Sequence, residues 1–148
     1  PIKVSDYYSL DASNTFHNPA NPSQINKFNT IFIGTHCTWI LTTTMNILET
    51  EVPTYFDFCG GQLSPGSALN VGPLVVVKMR TNLYINYNNT DKINFSGGCI
   101  FTSYKDDSHG GDSNGDGGAT SAADGDWDGL KNTDSNMWQS ANTAYDSH

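Results

Sequence analysis

The segment NTIFIGTHCTWIL, residues 29–41, decides the fold because it is rich in the β-branched and aromatic residues that favour strands. Four further segments share this composition: residues 45–52, 73–79, 82–87 and 99–104. Gly, Pro and Asn clusters separate the segments, so that turn signals recur about every eight to twelve residues. No window shows a helical period of useful length. The pattern predicts an all-β fold, specifically an antiparallel β-sandwich.

A family resemblance supports the same fold class. The strand Cys37-Thr38-Trp39-Ile40 resembles the C-x-W-x-I strand of CUB domains, and Cys59-Gly60-Gly61 with the later Gly97-Gly98-Cys99 resembles the second half of that family. The match covers roughly residues 15–104. It implies a jelly-roll-like β-sandwich and a disulfide between Cys59 and Cys99, and it carries no CUB calcium ligands to this chain.

Two short acidic stretches predict Ca²⁺ binding. DSNGDG at residues 112–117 and DGDWDG at residues 124–129 both place oxygen side chains at alternate positions before a Gly, starting twelve residues apart. Such spacing lets a short loop direct several oxygens at one ion, while the Gly makes the tight turn. The stretches resemble the first half of the calcium loops of EF-hands, dockerins and thrombospondin type 3 repeats. The predicted ligands are Asp112, Asn114, Asp116, Gly118, Asp124, Asp126, Asp128, Leu130 and Asp134.

The ligand sets are incomplete, since position 12 of the two loops holds Ala123 and Ser135 instead of an acid. Asp134 is the nearest substitute in the second loop. We therefore expect weak sites, with dissociation constants of roughly 10⁻⁴ to 10⁻³ M. The alternative interpretation is an acidic, Gly-rich tail that matches the motif through its composition alone.

Charge divides the chain into segments. Residues 105–148 contain nine Asp and two Lys, a net charge of −7, whereas residues 1–104 carry a net charge of −1, which together give the formal −8. We predict an N-terminal arm or edge segment at 1–28, a β-sandwich body at 29–104 and an acidic calcium-binding arm at 105–148. An acidic arm repels nucleic acids and anionic membranes. No apolar run reaches the roughly 18 to 20 residues of a membrane span.

The composition favours an extracellular protein, because Asn, Thr, Ser, Gly and Tyr are abundant while Lys, Arg and Glu are scarce. Two glycosylation sequons begin at Asn88 and Asn94. The three cysteines leave one thiol over after any internal disulfide. We predict a secreted glycoprotein, although the sequence contains no signal peptide.

No catalytic motif is present, so we predict that the chain is not an enzyme. The leading hypothesis is a secreted binding or assembly module whose C-terminal loops are ordered by Ca²⁺, with a protein or glycan partner. The alternatives are a structural subunit that assembles with copies of itself into a fibre, matrix or capsid, and a calcium-dependent lectin. Trp127 and Trp138 are candidate ligand contacts, but the interpretation we favour is that they pin the acidic arm to the body.

Overall fold

The computed structural model consists of strands and turns, with no helix in the residues that it describes. Those residues are 2–4, 13–25, 30–33, 39–48, 50, 52, 54–58, 60–80, 84–89 and 92–148. The strands are β1 (Ile2–Val4), β2 (His17–Asn18), β3 (Asn21–Ile25), β4 (Ile31–Ile33), β5 (Trp39–Leu41), β6 (Thr44–Ile47), β7 (Thr54–Phe58), β8 (Gly61–Leu63), β9 (Ala68–Val71), β10 (Val76–Met79), β11 (Tyr84–Tyr87), β12 (Lys92–Phe95), β13 (Ile100–Ser103), β14 (Gly129–Asn132) and β15 (Met137–Trp138). This part of the chain offers no helix with the length and hydropathy needed to cross a membrane.

Most of these strands form three sheets in which neighbours run parallel. The first sheet has the order β1-β4-β7-β10-β13, the second β15-β14-β11-β8-β5 and the third β12-β9-β6. The chain visits the first, second and third sheets in turn and then returns to the first one level further on. This path is a parallel β-solenoid, in which each coil contacts mainly the coils before and after it. Among the described residues, only β2–β3 and β14–β15 pair in the antiparallel sense.

The prediction of an antiparallel, jelly-roll or CUB-like β-sandwich is therefore wrong. A turn in this chain leads to a strand of a different sheet, and the hydrogen-bonded partner of each strand lies one whole coil away. In the first sheet, Ile31 pairs with Tyr55 and Val77 pairs with Phe101, all in the parallel sense. The turn spacing in the sequence thus corresponds to one side of a coil and not to the length of a hairpin strand.

The core is built by stacking apolar side chains from coil to coil. In the third sheet, Met45, Leu69 and Ile93 lie in register, and all three are buried. Because paired strands lie about 4.8 Å apart, these side chains contact one another directly along the solenoid axis. Full burial of one such side chain stabilises the fold by roughly 1.5–3 kcal/mol. Stacking of this kind makes parallel pairing favourable without helices to cover the sheets.

An asparagine ladder runs along the outer face of the third sheet. Asn70 donates from its amide to the side-chain oxygen of Asn46 at 2.7 Å, and Asn94 donates to Asn70 in the same way at 2.6 Å. Each Asn stands between two inward-facing apolar residues, in the tripeptides MNI, LNV and INF, which recur every 24 residues. The ladder fixes the register of the three coils, because a shift of one residue would move the amides into the core.

The ladder predicts graded stability losses. Asn70→Ala removes both side-chain hydrogen bonds of the central amide and should destabilise the protein by about 1–2 kcal/mol, and Asn46→Ala, which removes one, by about half as much. Urea unfolding of both variants measures this, with the exposed Gln62→Ala of the second sheet as a control. Equal losses at residues 46 and 70 would argue against the ladder.

The segment after residue 104 is integrated with the rest of the fold. Strand β14 pairs in parallel with β11, which adds a further level to the second sheet. Trp127 and Leu130 are fully buried in the common core. The last residues then cap the first sheet: Phe101 donates its backbone N–H to Asn142, and Ala144 donates to Phe101. At the other end, the predicted N-terminal arm contributes β1, which pairs with β4, and the β2–β3 hairpin.

One corner of the solenoid is greatly enlarged. From the first sheet to the second, residues 59–60 connect β7 to β8 and residues 80–83 connect β10 to β11. At the next level the connection from β13 to β14 spans residues 104–128. We call this segment the corner insertion. It contains the whole first predicted calcium motif and most of the second, so most of the predicted metal-binding residues lie in an extended corner and do not form a separate tail.

The predicted disulfide is not formed, because Cys99 is buried with a free thiol. Cys59 itself lies outside the described residues.

Both predicted glycosylation sites lie among the described residues. Asn94 is an exposed member of the asparagine ladder, and Asn88 follows β11. Whether either residue carries a glycan stays a prediction.

Candidate metal centre

The corner insertion folds over the outer face of the first sheet. Lys78 and Thr102 point away from the core, between inward-facing neighbours, yet both are fully buried. Thr54, on the adjacent strand, contacts the insertion so closely that a Cβ added at Gly110 would lie 2.2 Å from its hydroxyl oxygen. Gly110 also has a φ of +73°, so a side chain is excluded there for two reasons. These contacts fix the start of the insertion against the sheet.

A buried lysine holds the insertion in place. Lys78 donates from its ammonium to the backbone carbonyls of Asp106 and Gly111, both at 2.6 Å. Burial lowers the pKa of Lys78, and the negative charges of Asp106, Asp107 and Asp112 oppose that shift. The lysine thus supplies a positive charge beneath an acidic segment and two hydrogen bonds to its backbone.

Asp106 forms a second anchor next to this lysine. Its carboxylate accepts hydrogen bonds from the hydroxyls of Thr102 and Ser108 and from the ring of His109. Burial alone would raise the pKa of Asp106, but these hydrogen bonds and the nearby His109 more than offset it and lower the pKa to about 2. Asp106 is therefore ionised at neutral pH, and its oxygens are already engaged by protein donors.

Three other carboxylates converge on one point at the surface of the insertion. Asp107, Asp112 and Asp116 each place a carboxylate oxygen within 4.8 Å of the others. The Oδ1 atom of Asp107 is buried and accepts no hydrogen bond. A buried acceptor without a donor is costly to leave unsatisfied, so a cation bound by the Asp107 carboxylate would offset part of that cost. We call these three residues the acidic triad; the arrangement could hold a metal ion.

The loop geometry follows from the sequence of the first motif. Asp112 accepts backbone N–H bonds from Gly115, Asp116 and Gly117, so the chain wraps around its carboxylate. Gly115 and Gly117 have φ values of +73° and +69°, a conformation that glycine adopts without strain. This local wrapping brings Asp116 back towards Asp112.

A second set of backbone bonds orients Asp116. Its carboxylate accepts from the N–H groups of Gly118, Ala119 and Thr120 and from the Thr120 hydroxyl. The Thr120 side-chain bond is the main cause that lowers the pKa of Asp116. A carboxylate has about four lone-pair sites, and Asp116 fills its own with these donors and the Asn114 amide. Asp112 accepts three backbone N–H bonds and the Asp107 Oδ1 atom accepts none, so the acceptor capacity left for an ion lies on Asp107 and Asp112.

Other predicted ligands of the first motif lie beside the triad. Asn114 uses its amide to donate to Asp116 and Thr120, and its side-chain oxygen accepts from the Asp116 N–H. Gly118 lies next to Asp107, since a Cβ added at Gly118 would come within 4.0 Å of the Asp107 Oδ2 atom. Asn114 therefore supports the triad, and Gly118 closes the loop against it.

The structure does not bring the residues of the second motif together around one point. Asp126 forms an ion pair with Lys105 at 2.6 Å and accepts from the Ser103 hydroxyl at 2.7 Å. The Leu130 carbonyl accepts from Gln139 within the second sheet. Asp134 accepts from the backbone N–H of Asn89. Asp128 is partly buried and directly precedes β14.

The remaining residue, Asp124, is exposed and lines a separate cavity of about 450 Å³ with Gly125, Asp146, Ser147 and His148.

The second motif behaves differently because it contains large apolar residues. Trp127 is fully buried, stacks on Phe101 with ring centroids 6.5 Å apart and donates from its indole to the Ala144 carbonyl. These contacts support the prediction that Trp127 anchors the acidic segment to the body of the fold. The predicted role of Trp127 as a ligand contact is wrong, because no part of its ring is accessible. Burial of this indole and of Leu130 commits the segment to the core and prevents it from closing into a loop around an ion.

Trp138 lies at the surface in an aromatic cluster. It stacks on the His148 ring with centroids 3.9 Å apart and meets Tyr84 edge to face at 6.2 Å. Lys131 places its ammonium over the Trp138 ring at 5.3 Å. These neighbours pack against the Trp138 ring. The role of Trp138 as a ligand contact stays a prediction.

Sequence reasoning missed Asp107. This residue precedes the first motif by five positions and directly follows Asp106, whose burial turns the chain over the sheet. The available signal was the acidic pair immediately after a strand and ahead of the loop. The loop motif begins with its first ligand, Asp112, and predicts no ligand earlier in the sequence. Asp107 is added only because the insertion folds back on itself, which the sequence does not reveal.

No protein-family model, curated protein or solved structure matches this chain. The resemblance of the acidic motifs to dockerin or thrombospondin loops therefore rests on the motif residues alone. The resemblance to CUB domains likewise gains no support from relatives, and the fold that it implied is the one that the strand pairing overturns.

Proposed function

We propose that this chain is a non-catalytic β-solenoid module whose corner insertion binds Ca²⁺ at the acidic triad and that it serves binding or assembly outside the cell. The observation that carries the proposal is the convergence of three carboxylates, one with a buried and unsatisfied oxygen, on a loop already shaped by its backbone. The ion would neutralise the mutual repulsion of these carboxylates.

The chemistry of the triad favours Ca²⁺ over other ions. All three side chains offer hard oxygen ligands, and the described part of the chain places no His or Cys in this cluster. Ca²⁺ accepts such oxygen ligands in flexible geometry, completed by backbone carbonyls and water, whereas Zn²⁺ prefers nitrogen and sulfur. Three protein carboxylates without a bidentate Glu suit a weak extracellular site of roughly 10⁻⁴ to 10⁻³ M.

The surroundings of the histidines support a non-catalytic role. His109 is bonded to Asp106, and His148 is stacked on Trp138. The Ser108 hydroxyl lies 3.2 Å from the same His109 Nδ1 atom that contacts Asp106, whereas a catalytic Ser-His-Asp arrangement uses both ring nitrogens. The proposal therefore assigns the molecule to recognition or scaffolding.

Isothermal titration with Ca²⁺ tests the proposal. We expect one ion per chain with the weak affinity given above. At 10 mM Ca²⁺ the free energy of unfolding should rise by about 1.4–2.7 kcal/mol, and EDTA should abolish the gain. Asp112→Asn should weaken binding more than tenfold, whereas Asp124→Asn, an exposed acid of the second motif, should leave it unchanged. Absence of binding heat together with unchanged stability in Ca²⁺ would reject the proposed function.

Self-assembly is the second candidate, and the edge of the third sheet favours it. Lys92 and Ser96 donate their N–H groups back to Ser67 and Val71 on the β9 side of the sheet. The backbone groups of Ile93 and Phe95 between them face the other way, where no described strand pairs with β12. An open edge can accept a strand from another chain. Sedimentation velocity at physiological Ca²⁺ separates the candidates, since a persistent monomer counts against assembly.

A further inference from the structure

We infer that Lys78 is a positioning residue for the cation site, because its ammonium fixes the backbone on which two of the three proposed ligands stand. This inference rests on the proposed function and deepens it. It links metal affinity to a residue of the first sheet that does not itself contact the ion.

The hydrogen bonds of Lys78 single out two points of the insertion. Its ammonium bonds the carbonyls of Asp106 and Gly111, each at 2.6 Å. The residues that follow these carbonyls are the ligands Asp107 and Asp112. One buried ammonium therefore sets the separation of the two chain segments that must meet around a cation. Asp116 then follows from the local wrapping of the loop on Asp112.

The type of bond explains how a positive charge can aid a cation site. The ammonium is directed at backbone carbonyls, so it does not occupy carboxylate oxygens of the triad. Its charge also offsets part of the repulsion among Asp106, Asp107 and Asp112, which lie close enough to affect its pKa. Because Lys78 is fully buried, solvent and salt screen this effect less than they would at the surface. The lysine thus holds the loop in its binding shape before any ion arrives.

Calcium titration of Lys78→Met tests the inference. Methionine keeps the apolar stem and removes the ammonium, so both carbonyls lose their donor. Loss of a residue that orients metal ligands typically weakens affinity by about 10–100-fold, and we expect a dissociation constant raised within that range. Lys78→Arg, which restores charge and donors, should recover at least part of the loss.

A matched control separates positioning from general destabilisation. Ile85→Ala in the second sheet creates a cavity in the core away from the insertion. The dissociation constant of this variant for Ca²⁺ should stay within about twofold of the wild-type value, because the proposed ligands are unchanged. If Lys78→Met does not fold, Lys78→Gln, which lacks the charge but keeps a polar side chain, gives the same comparison.

The outcomes are distinct. If a folded Lys78→Met or Lys78→Gln variant has an unchanged or lower dissociation constant for Ca²⁺, the inference is overturned, even if Asp112→Asn abolishes binding. Weaker binding in Lys78→Met with recovery in Lys78→Arg supports it. A wild-type protein that binds no Ca²⁺ fails the proposed function itself, which is a separate result.

Discussion

Replacing Trp127 by alanine is expected to destabilise the protein by about 3–5 kcal/mol. The indole has no exposed surface, stacks on Phe101 and donates a hydrogen bond to the Ala144 carbonyl. Its loss would leave a large cavity in the core and an unpaired, partly buried carbonyl. It would also loosen the C-terminal residues that pair with Phe101 of β13. Urea unfolding followed by circular dichroism measures the change, because the variant also loses tryptophan fluorescence.

Trp138→Ala is the matched control for this prediction. Trp138 is partly exposed and mainly contacts other surface rings, so its loss should cost about 1 kcal/mol. If the two variants lose similar stability, or Trp127→Ala loses less than about 1.5 kcal/mol, Trp127 is not the core residue that the structure shows.

The sequence located six of the fifteen strands that the structure describes and misjudged their pairing. Residues 29–41, 45–52, 73–79, 82–87 and 99–104 were predicted as strands, and each range overlaps at least one strand of the structure. Composition reveals a strand because it reports local preference and burial. It does not report whether the partner lies across the next turn or a coil away, since both arrangements need the same alternation of side chains.

A repeat would have revealed the solenoid. The tripeptides MNI, LNV and INF recur every 24 residues, with Asn at the centre of each. Only the outward-facing Asn and the apolar character of its two neighbours are repeated. A solenoid constrains the positions that stack from coil to coil and leaves its corners free to vary. The corner insertion then interrupts the period after β13, which hides the fourth level from any search for an even spacing.

The first acidic motif could be predicted as a loop, because its turn depends on residues close in sequence. Asp112 bonds the N–H groups of Gly115 and Gly117 within its own loop. The second motif has similar spacing, but Trp127 and Leu130 give it an apolar character that the core uses. Burial of these side chains outweighs any weak cation site that the same residues could have formed.

Asp126→Ala is expected to destabilise the protein by about 2–3 kcal/mol without changing Ca²⁺ affinity. Asp126 joins the two ends of the insertion, because its carboxylate accepts hydrogen bonds from Lys105, Ser103 and the Ala123 N–H. Its removal leaves these donors without their partner, and the partial exposure of Lys105 moderates the loss. Urea unfolding and calcium titration together measure the two quantities.

The pH dependence of this variant follows from the ion pair. Burial alone would raise the pKa of Asp126, but the hydrogen bonds from Lys105, Ser103 and Ala123 lower it overall. A carboxylate with a lowered folded-state pKa stabilises the fold above its unfolded value of about 3.9 and loses that contribution as the pH falls. The stability difference between wild type and Asp126→Ala should therefore shrink below about pH 4.

Asp124→Ala serves as the control for the same motif, since Asp124 is exposed and its loss should cost less than about 0.5 kcal/mol. A large loss of Ca²⁺ affinity in Asp126→Ala, with little loss of stability, would show that the second motif binds the ion after all.

Anomalous diffraction from crystals grown with Ca²⁺ tests the central claim most directly. We predict one peak among the carboxylates of Asp107, Asp112 and Asp116, with oxygen atoms roughly 2.3–2.6 Å from the ion. No peak at the triad, or a peak among Asp124, Asp126 and Asp128 instead, would contradict the assignment of the corner insertion as a calcium site.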